Sequence, residues 1–359
     1  MDRFELQPLF SPALPEVAAF LEQQLNQKPE KTTNIERRLR WLLLENPAAQ
    51  DGTPAGFCVR DRDGAIRGLS LCFPVNFLAG DRRLRGLGSG SFFVDAPARS
   101  LGFFLFKRYL RIPGFAFYYA STCNAVSSEL WKSMGGSPVP DSETEYLVPL
   151  RLDRTIPALV ASRTDSASAF RIARALGQAA NPAMQFLTRP SPGVFVKPCQ
   201  DWQTLSDLAF RHRPAGGITC ERSAEFLAWR YGPSSPLYPC AVYLLSDRQG
   251  NQGWFALGDA SRGKPQPYRE SVLLDVIWPA DKMNFRDLFR AILRAAAEQA
   301  DALLLSARPG IDFRPLRPWV LRRRLPAPRA YVIHPRGASP LALDALEYDD
   351  SDSIAWRFN

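Results

Sequence analysis

Two short stretches of this sequence bring together residue types that hold phosphate and manage a proton. The first is Val94-Asp95-Ala96-Pro97-Ala98-Arg99-Ser100-Leu101-Gly102-Phe103-Phe104. A β-like pattern ends at Val94 and helical spacing runs from Arg99, so Arg99-x-x-Gly102 falls on a strand-to-helix turn. Unpaired backbone N–H groups at a helix start attract an anion. Glycine lets the backbone come close to a pyrophosphate, and arginine adds charge. The second stretch follows another strand and contains Cys123, Asn124, Ser127, Trp131 and Gly135.

Other residues in and near these stretches could take up a proton or attack as a nucleophile. Asp95, at the end of the strand, is the carboxylate best placed to act as a base, and Glu143 and Glu145 are alternatives. Asp95 suits a helix cap equally well. Cys123 is either a nucleophile or a buried structural thiol, and no histidine stands near it in sequence. Trp131 suits core packing as well as a site wall.

The elements that position these residues read as a mixture of strands and helices. A strand at Phe4–Phe10 leads to helices at Leu14–Leu25 and Ile35–Leu44. Strands follow at Gly56–Arg60, Ile66–Phe73 and Gly90–Val94, the first two joined by the turn Asp61-Arg62-Asp63-Gly64. A helix over Arg99–Arg111, a strand Phe115–Ala120, a helix Ser127–Met134 and a strand Glu145–Leu150 complete the first half. Residues 151–193 read as a connector with one helix, Ala167–Ala180. Residues 194–335 then repeat the order of strand, two helices, three-stranded meander, helix and two strands, which predicts tandem domains of one fold.

With its two loops in this order, each after a strand, the chain resembles the GNAT superfamily of acyl-CoA N-acyltransferases. The family's phosphate loop reads Arg/Gln-x-x-Gly-x-Gly/Ala. Arg99 and Gly102 match it, and Phe104 stands where the small residue is expected. The family's second motif places an Asn, a small residue three on, an aromatic seven on and a Gly eleven on. Asn124, Ser127, Trp131 and Gly135 keep that spacing.

The resemblance implies an α+β fold of two GNAT-like domains, 1–150 and 194–335, each a mixed, mostly antiparallel sheet flanked by helices. A connector (151–193) and an acidic tail (336–359) complete the chain. It implies acetyl-CoA or a longer acyl-CoA as donor, with the pantetheine arm in a wedge between the fourth and fifth strands. Val94, Arg99, Ser100, Leu101, Gly102, Phe103, Phe104, Asn124, Ser127 and Trp131 would bind it. Asp95, Glu145 and Cys123 are the catalytic candidates. The acceptor is an amine-bearing small molecule or peptide in the cleft between the domains. Where Trp131 stands, the family often has a tyrosine that protonates the leaving thiolate, and an indole cannot do this. The second half has no glycine in Pro279–Asn284, and Asp281 there would repel a phosphate, so it is expected to bind no CoA. The rival reading is an inactive binding protein of the same fold for an acidic partner.

Charge and composition bound these readings. Hydrophobic residues form 46% of the 359 and charged residues 23%, a profile that excludes wholesale disorder and coiled coil. No apolar run is long enough to span a bilayer, and no secretory signal is evident, so the expected compartment is the cytoplasm. Six scattered cysteines and two histidines offer no zinc spacing, so no metal is expected. The net charge of +9 is uneven: +1 over residues 1–150, +11 over 151–335 and −3 over 336–359. Arg308–Arg336 holds eight arginines and one acid, Asp312. That patch suits an acidic carrier protein or peptide, or ion pairs with the acidic tail. Nucleic acid is the weaker reading, because no recognised module surrounds those arginines.

Overall fold

The computed structural model describes residues 4–10, 13–25, 32–50, 52–161, 163–189, 193–213, 216–236, 239–262, 267–306, 320–335 and 346–347. In the first half the elements are β1 (Phe4–Leu9), α1 (Leu14–Gln24), α2 (Thr32–Leu43), β2 (Gly56–Asp61), β3 (Ile66–Ala79), β4 (Arg82–Val94), α3 (Gly102–Tyr109), β5 (Phe117–Ala120), α4 (Ala125–Ser133), β6 (Ser137–Pro138) and β7 (Thr144–Pro149). Helices α5 (Leu152–Ala161) and α6 (Ala167–Leu187) follow. The second half comprises β8 (Val194–Pro198), α7 (Trp202–Arg211), β9 (Ile218–Cys220), α8 (Ala224–Tyr231), β10 (Cys240–Asp247), β11 (Gln252–Arg262) and β12 (Tyr268–Ile277). It continues with α9 (Phe285–Ala297), β13 (Ala302–Ser306), β14 (Leu321–Arg324), β15 (Tyr331–Ile333) and β16 (Leu346–Glu347).

These strands build two mixed sheets, and helices flank both, so the α+β expectation holds. The first runs β1-β2-β3-β4-β5-β15-β6, and the second runs β8-β10-β11-β12-β13-β7-β14. Each has one parallel pair among the strands in corresponding places, β4 with β5 and β12 with β13. The two orders match place for place, with one exchange. Strand β7, from the first half, pairs with β13 and β14 in the second sheet, whereas β15 pairs with β5 and β6 in the first. The expected division at residue 150 therefore cuts across the pairing: β7 of the first half joins the second sheet, while β15, and β9 with β16 at the β3 edge, join the first. A sequence pattern shows that a strand exists but not which edge it joins.

Strands β3 and β4 are longer than their sequence pattern suggests. The run Phe73–Phe77 lacks alternation because it is covered on both faces, and it contains Pro74. That proline lies beyond Leu71, the last β3 residue paired with β2, and before Phe77, where β9 takes up the edge. Its missing N–H therefore breaks no ladder bond on that side. In β4, Gly86 and Gly88 weaken the strand signal, and the packing explains them. A Cβ on Gly86 would sit 2.7 Å from the Phe77 ring and 2.8 Å from that of Phe117. Gly86→Ala is expected to cost about 1–3 kcal/mol through overpacking, read as a shifted urea midpoint at constant slope. An unchanged midpoint would show that the aromatic cluster can yield.

The two halves lock together through a reciprocal pair. Trp41 on α2 donates its indole N–H to the Trp229 carbonyl on α8, and Trp229 returns the same bond to Trp41, both at 3.0 Å. Their rings stack at 4.2 Å. The expected connector is more structured than its composition suggests. Helices α5 and α6 cross so closely at Gly177 that a Cβ there would lie 2.5 Å from the Leu152 carbonyl. Among the described residues, no helix is long and apolar enough to cross a membrane.

Candidate active site

Strands β4 and β5 pair from Gly86–Phe117 as far as Ser89–Ala120, and there the pairing stops. Beyond Ser89, β4 runs on to Val94 without β5 beside it. A cavity of about 230 Å³ opens in this wedge. Its walls are Ser89 to Phe93 from β4, Ala120, Thr122 and Cys123 from the end of β5, Asn124, Ser127 and Trp131 from α4, and Leu25. A bulge shapes the β4 wall: Leu71 opposes Gly90 while Leu69 opposes Phe93, which leaves two β4 residues against Ser70. Ser91, in that bulge, takes the left-handed φ of 46°, a strained value for a serine.

The strand-to-helix turn has a different form from the one its sequence suggests. Ala96–Leu101 winds as a 3-10 turn directly into α3, and the N–H of Gly102 is already bonded to the Arg99 carbonyl. Gly102 has ordinary helical angles, and a Cβ there would make normal contacts with Val94 and Phe92. The helical run thus begins near Asp95, well before Gly102. Arg99 is exposed and has no acidic partner among the described residues. Ser100 is exposed, whereas Val94 and Leu101 are half-buried. Phe103 and Phe104 are 40% and 46% exposed and pack edge to face, 6.3 Å apart.

The second motif has a local cause in the helix it starts. The Asn124 side chain accepts from the Ser127 N–H and the Ser127 hydroxyl accepts from the Asn124 N–H, both at 2.9 Å, which makes a capping box. Gly135 supplies the left-handed turn just past the helix, at φ 85°. Trp131 is buried against Phe106, Tyr109 and Tyr331 and also forms a wall of the wedge. Most of the aromatics near the loop, such as Phe106, Phe117 and Tyr119, belong to the core, while Phe92 and Phe93 line the cavity.

The catalytic candidates lie apart. Asp95 accepts from the Gln24 side chain at 2.7 Å and lies 3.7 Å from Arg67, which ties the end of β4 to α1 and β3. Glu145 sits on β7 in the second sheet, bonded to Arg329 and 4.0 Å from Arg323. Glu143 lies 3.8 Å from Arg324. None of the three carboxylates lines the wedge. These contacts also account for three arginines of the basic patch, while Arg308, Arg314, Arg317 and Arg336 lie outside the described residues, as does most of the acidic tail.

Cys123 does line the wedge, but burial pushes its thiol up to about 12, and Cys72 shifts the same way to about 12. A thiol so disposed is a poor nucleophile at neutral pH. The sign for stability follows: the folded state holds these protons more tightly than the unfolded chain, whose thiols titrate near 9.0. Stability is therefore intact below pH 9 and falls as pH rises toward 12, by about 1.4 kcal/mol per pH unit for each thiol. Unfolding of the protein and of a Cys72→Ala/Cys123→Ala variant should show a steeper alkaline loss for the former. Parallel curves would contradict it.

A larger cleft of about 1040 Å³ lies between the halves. It is bounded by the β3–β4 tip, the end of α7, β9 and Arg222. It meets β4 at Arg83, six residues from Ser89, so the wedge lies roughly 20 Å farther along the strand. In the second half, α9 is capped by Asn284, whose side chain accepts from the Arg286 N–H at 2.8 Å.

No protein-family model matches the sequence, and no curated protein resembles it in sequence. Solved structures do resemble the fold. A "Probable N-Acyltransferase" from Enterococcus faecalis V583 aligns with a TM-score of 0.58 at 12% identity, over 92% of this chain and 72% of that one. A GCN5-related N-acetyltransferase from Anabaena variabilis gives 0.57 at 11% identity, over the same shares. The N-myristoyltransferase of Saccharomyces cerevisiae with bound myristoyl-CoA gives 0.57 at 13% identity, over 97% of this chain and 90% of that one. The chain has the fold of the GCN5-related N-acyltransferases. It carries that fold as two mixed sheets, with β7 of the first half in the second sheet and β9, β15 and β16 of the second half in the first.

Proposed function

We propose that this protein is an N-acyltransferase that takes its acyl group from a pantetheine thioester, acyl-CoA in the simplest case, held in the wedge between β4 and β5. The observation that carries this reading is the wedge itself. Two parallel strands separate beyond Ser89–Ala120, and the gap has the mixed polar and apolar lining that a pantetheine arm needs. The fold's likeness to acyltransferases, one of them with myristoyl-CoA bound, supports the same class.

In the reaction the amine nitrogen attacks the thioester carbonyl, the C–S bond breaks, and the thiolate leaves and takes up the proton the amine gives up. Backbone N–H groups at the β4 bulge are assigned to polarise the carbonyl. Among the described residues no carboxylate or imidazole lines the wedge, so the proton is assigned to water held by hydroxyls such as Ser89, Thr122 and Ser127. Arg99, exposed at the turn, is assigned to the donor's phosphate.

The test is thiol release from acetyl-CoA and a long-chain acyl-CoA, with and without a primary amine, beside a thermal-shift titration. Donor at about 100 times its Kd should add about 2.7 kcal/mol of stability. Release should depend on the amine and climb with pH as the amine loses its proton. Neither binding nor release would overturn the proposal. Binding without turnover would favour the inactive binding protein, for which Trp131 in the proton donor's place is the motivating residue.

A further inference from the structure

We infer that the outer face of α3 is a docking surface for an acidic carrier protein that delivers the acyl group on its phosphopantetheine arm. This rests on the reading of the wedge as a thioester site and names the carrier of the donor.

The first observation is charge. Between Asp95 and Glu129 the sequence has no acidic residue, yet it has Arg99, Lys107, Arg108 and Arg111. None of these four has an acidic partner among the described residues. The helix explains how they gather. Leu105, Phe106 and Tyr109 are buried on its inner side, and Tyr109 bonds the Leu87 carbonyl of β4. Phe103, Phe104, Lys107 and Arg108 are therefore turned outward by the helical period, and Arg111, in the turn just past the helix, is exposed beside them. Every charged side chain on this face is a cation.

The second observation is that this face is also apolar. Phe103 and Phe104 are exposed next to each other, and the Lys107 ammonium lies 4.3 Å from the centre of the Phe103 ring. Adjacent exposed aromatics rimmed by cations are a protein-docking composition, since an apolar centre supplies binding energy and charges steer the approach.

The third observation separates a carrier protein from free CoA. A nucleotide pyrophosphate is best held by free N–H groups at a glycine turn. Here the Gly102 N–H is committed to the Arg99 carbonyl, and Phe104 stands out where a small residue would let a nucleotide lie against the backbone. The wedge accepts an arm, and its surroundings are built less for a nucleotide than for an acidic protein surface. Placement agrees: the start of α3 abuts Phe92, a wall of the wedge, so a partner on this face has its arm within reach of the cavity.

The experiment measures binding of a purified holo-acyl carrier protein, its apo form lacking the arm, and CoA, at about 50 and 300 mM NaCl. It uses the full-length protein and an Arg108→Glu/Arg111→Glu variant, with acyl-pantetheine turnover as the check that the wedge is intact. The expected result is holo-carrier binding about tenfold tighter than CoA, weakened about tenfold by salt and by the variant, with acyl-pantetheine turnover unchanged. Tighter binding of CoA, or carrier binding indifferent to the variant, would overturn the inference and leave the acyltransferase reading standing. Cosedimentation with phosphatidylserine vesicles that the variant abolishes, without carrier binding, would assign the face to a membrane and overturn it too. No binding or turnover of acyl-pantetheine, acyl-CoA or carrier would remove the acyltransferase reading itself.

Discussion

Asp275→Ala is expected to destabilise the protein by about 3–5 kcal/mol, the usual cost of stripping one partner from a buried ion pair. Arg222 grips the Asp275 carboxylate with two parallel bonds, 2.7 and 2.9 Å long, and both side chains are at most 7% exposed. The Tyr231 hydroxyl donates to the same carboxylate at 3.3 Å, and the Arg222 guanidinium also donates to the Cys220 carbonyl at 3.2 Å. Cys220 ends β9, which pairs with the tip of β3, so the ion pair ties the second sheet to a strand shared with the first. Removing the carboxylate takes both of these bonds from the Arg222 guanidinium. Leucine at both positions should cost much less than the single change, because it buries no unpaired charge. Denaturant melts of the single and double variants decide this. Equal losses would mean that the packing, rather than the stranded charge, carries the cost.

How much of this was legible in the sequence depends on how local the cause is. The hairpin at Asp61–Gly64 could be read because its turn is made by its own residues: the Asp61 carboxylate accepts from the Asp63 and Ala65 N–H groups, each at 3.0 Å. Asn124 and Ser127 stood out through the spacing they share with the family's second motif, and the structure gives that spacing a local cause, since they cap each other within one turn. The wedge between the fourth and fifth strands was an expectation of the family resemblance, and β4 and β5 do part beyond Ser89–Ala120.

Features that depend on distant residues were hidden. The expected strand begins only at Gly90, because the reason for Gly86 and Gly88 earlier in β4 lies in Phe73, Phe77 and Phe117, whose rings fill the space beside them. Asp95 read as a base or a helix cap because Gln24 and Arg67, which hold it, come from other elements. Glu145 read as a neighbour of the site, yet the strand exchange carries it into the other sheet. Arg329 shows how close the two sheets still come: it bonds Glu145 while its carbonyl accepts from the Cys123 N–H at 2.8 Å. Tryptophans 41 and 229 gave no sequence signal at all, because each bond needs the other helix.

Thr122→Trp is expected to abolish binding of a pantetheine thioester, with a loss of about 100-fold or more in affinity, while leaving the fold intact. Thr122 follows the last residues of β5 and lines the wedge opposite Phe92 and Phe93 on β4. It lies outside regular structure, is half-buried and lines the cavity, so a larger side chain there takes up cavity space. A space of about 230 Å³ has little room for both an indole and a pantetheine arm. The loss corresponds to about 2.7 kcal/mol, well within what steric exclusion of the arm can impose. The probe is acyl-pantetheine without a nucleotide, so the result reports on the wedge alone and is independent of what carries the arm. Calorimetry supplies the affinity, and an unfolding midpoint within a few degrees of the parent supplies the control. Unchanged affinity in a folded variant would place the donor elsewhere on the molecule, and the cleft lined by Arg83, Arg211, Arg213 and Arg222 would then be the next cavity to probe.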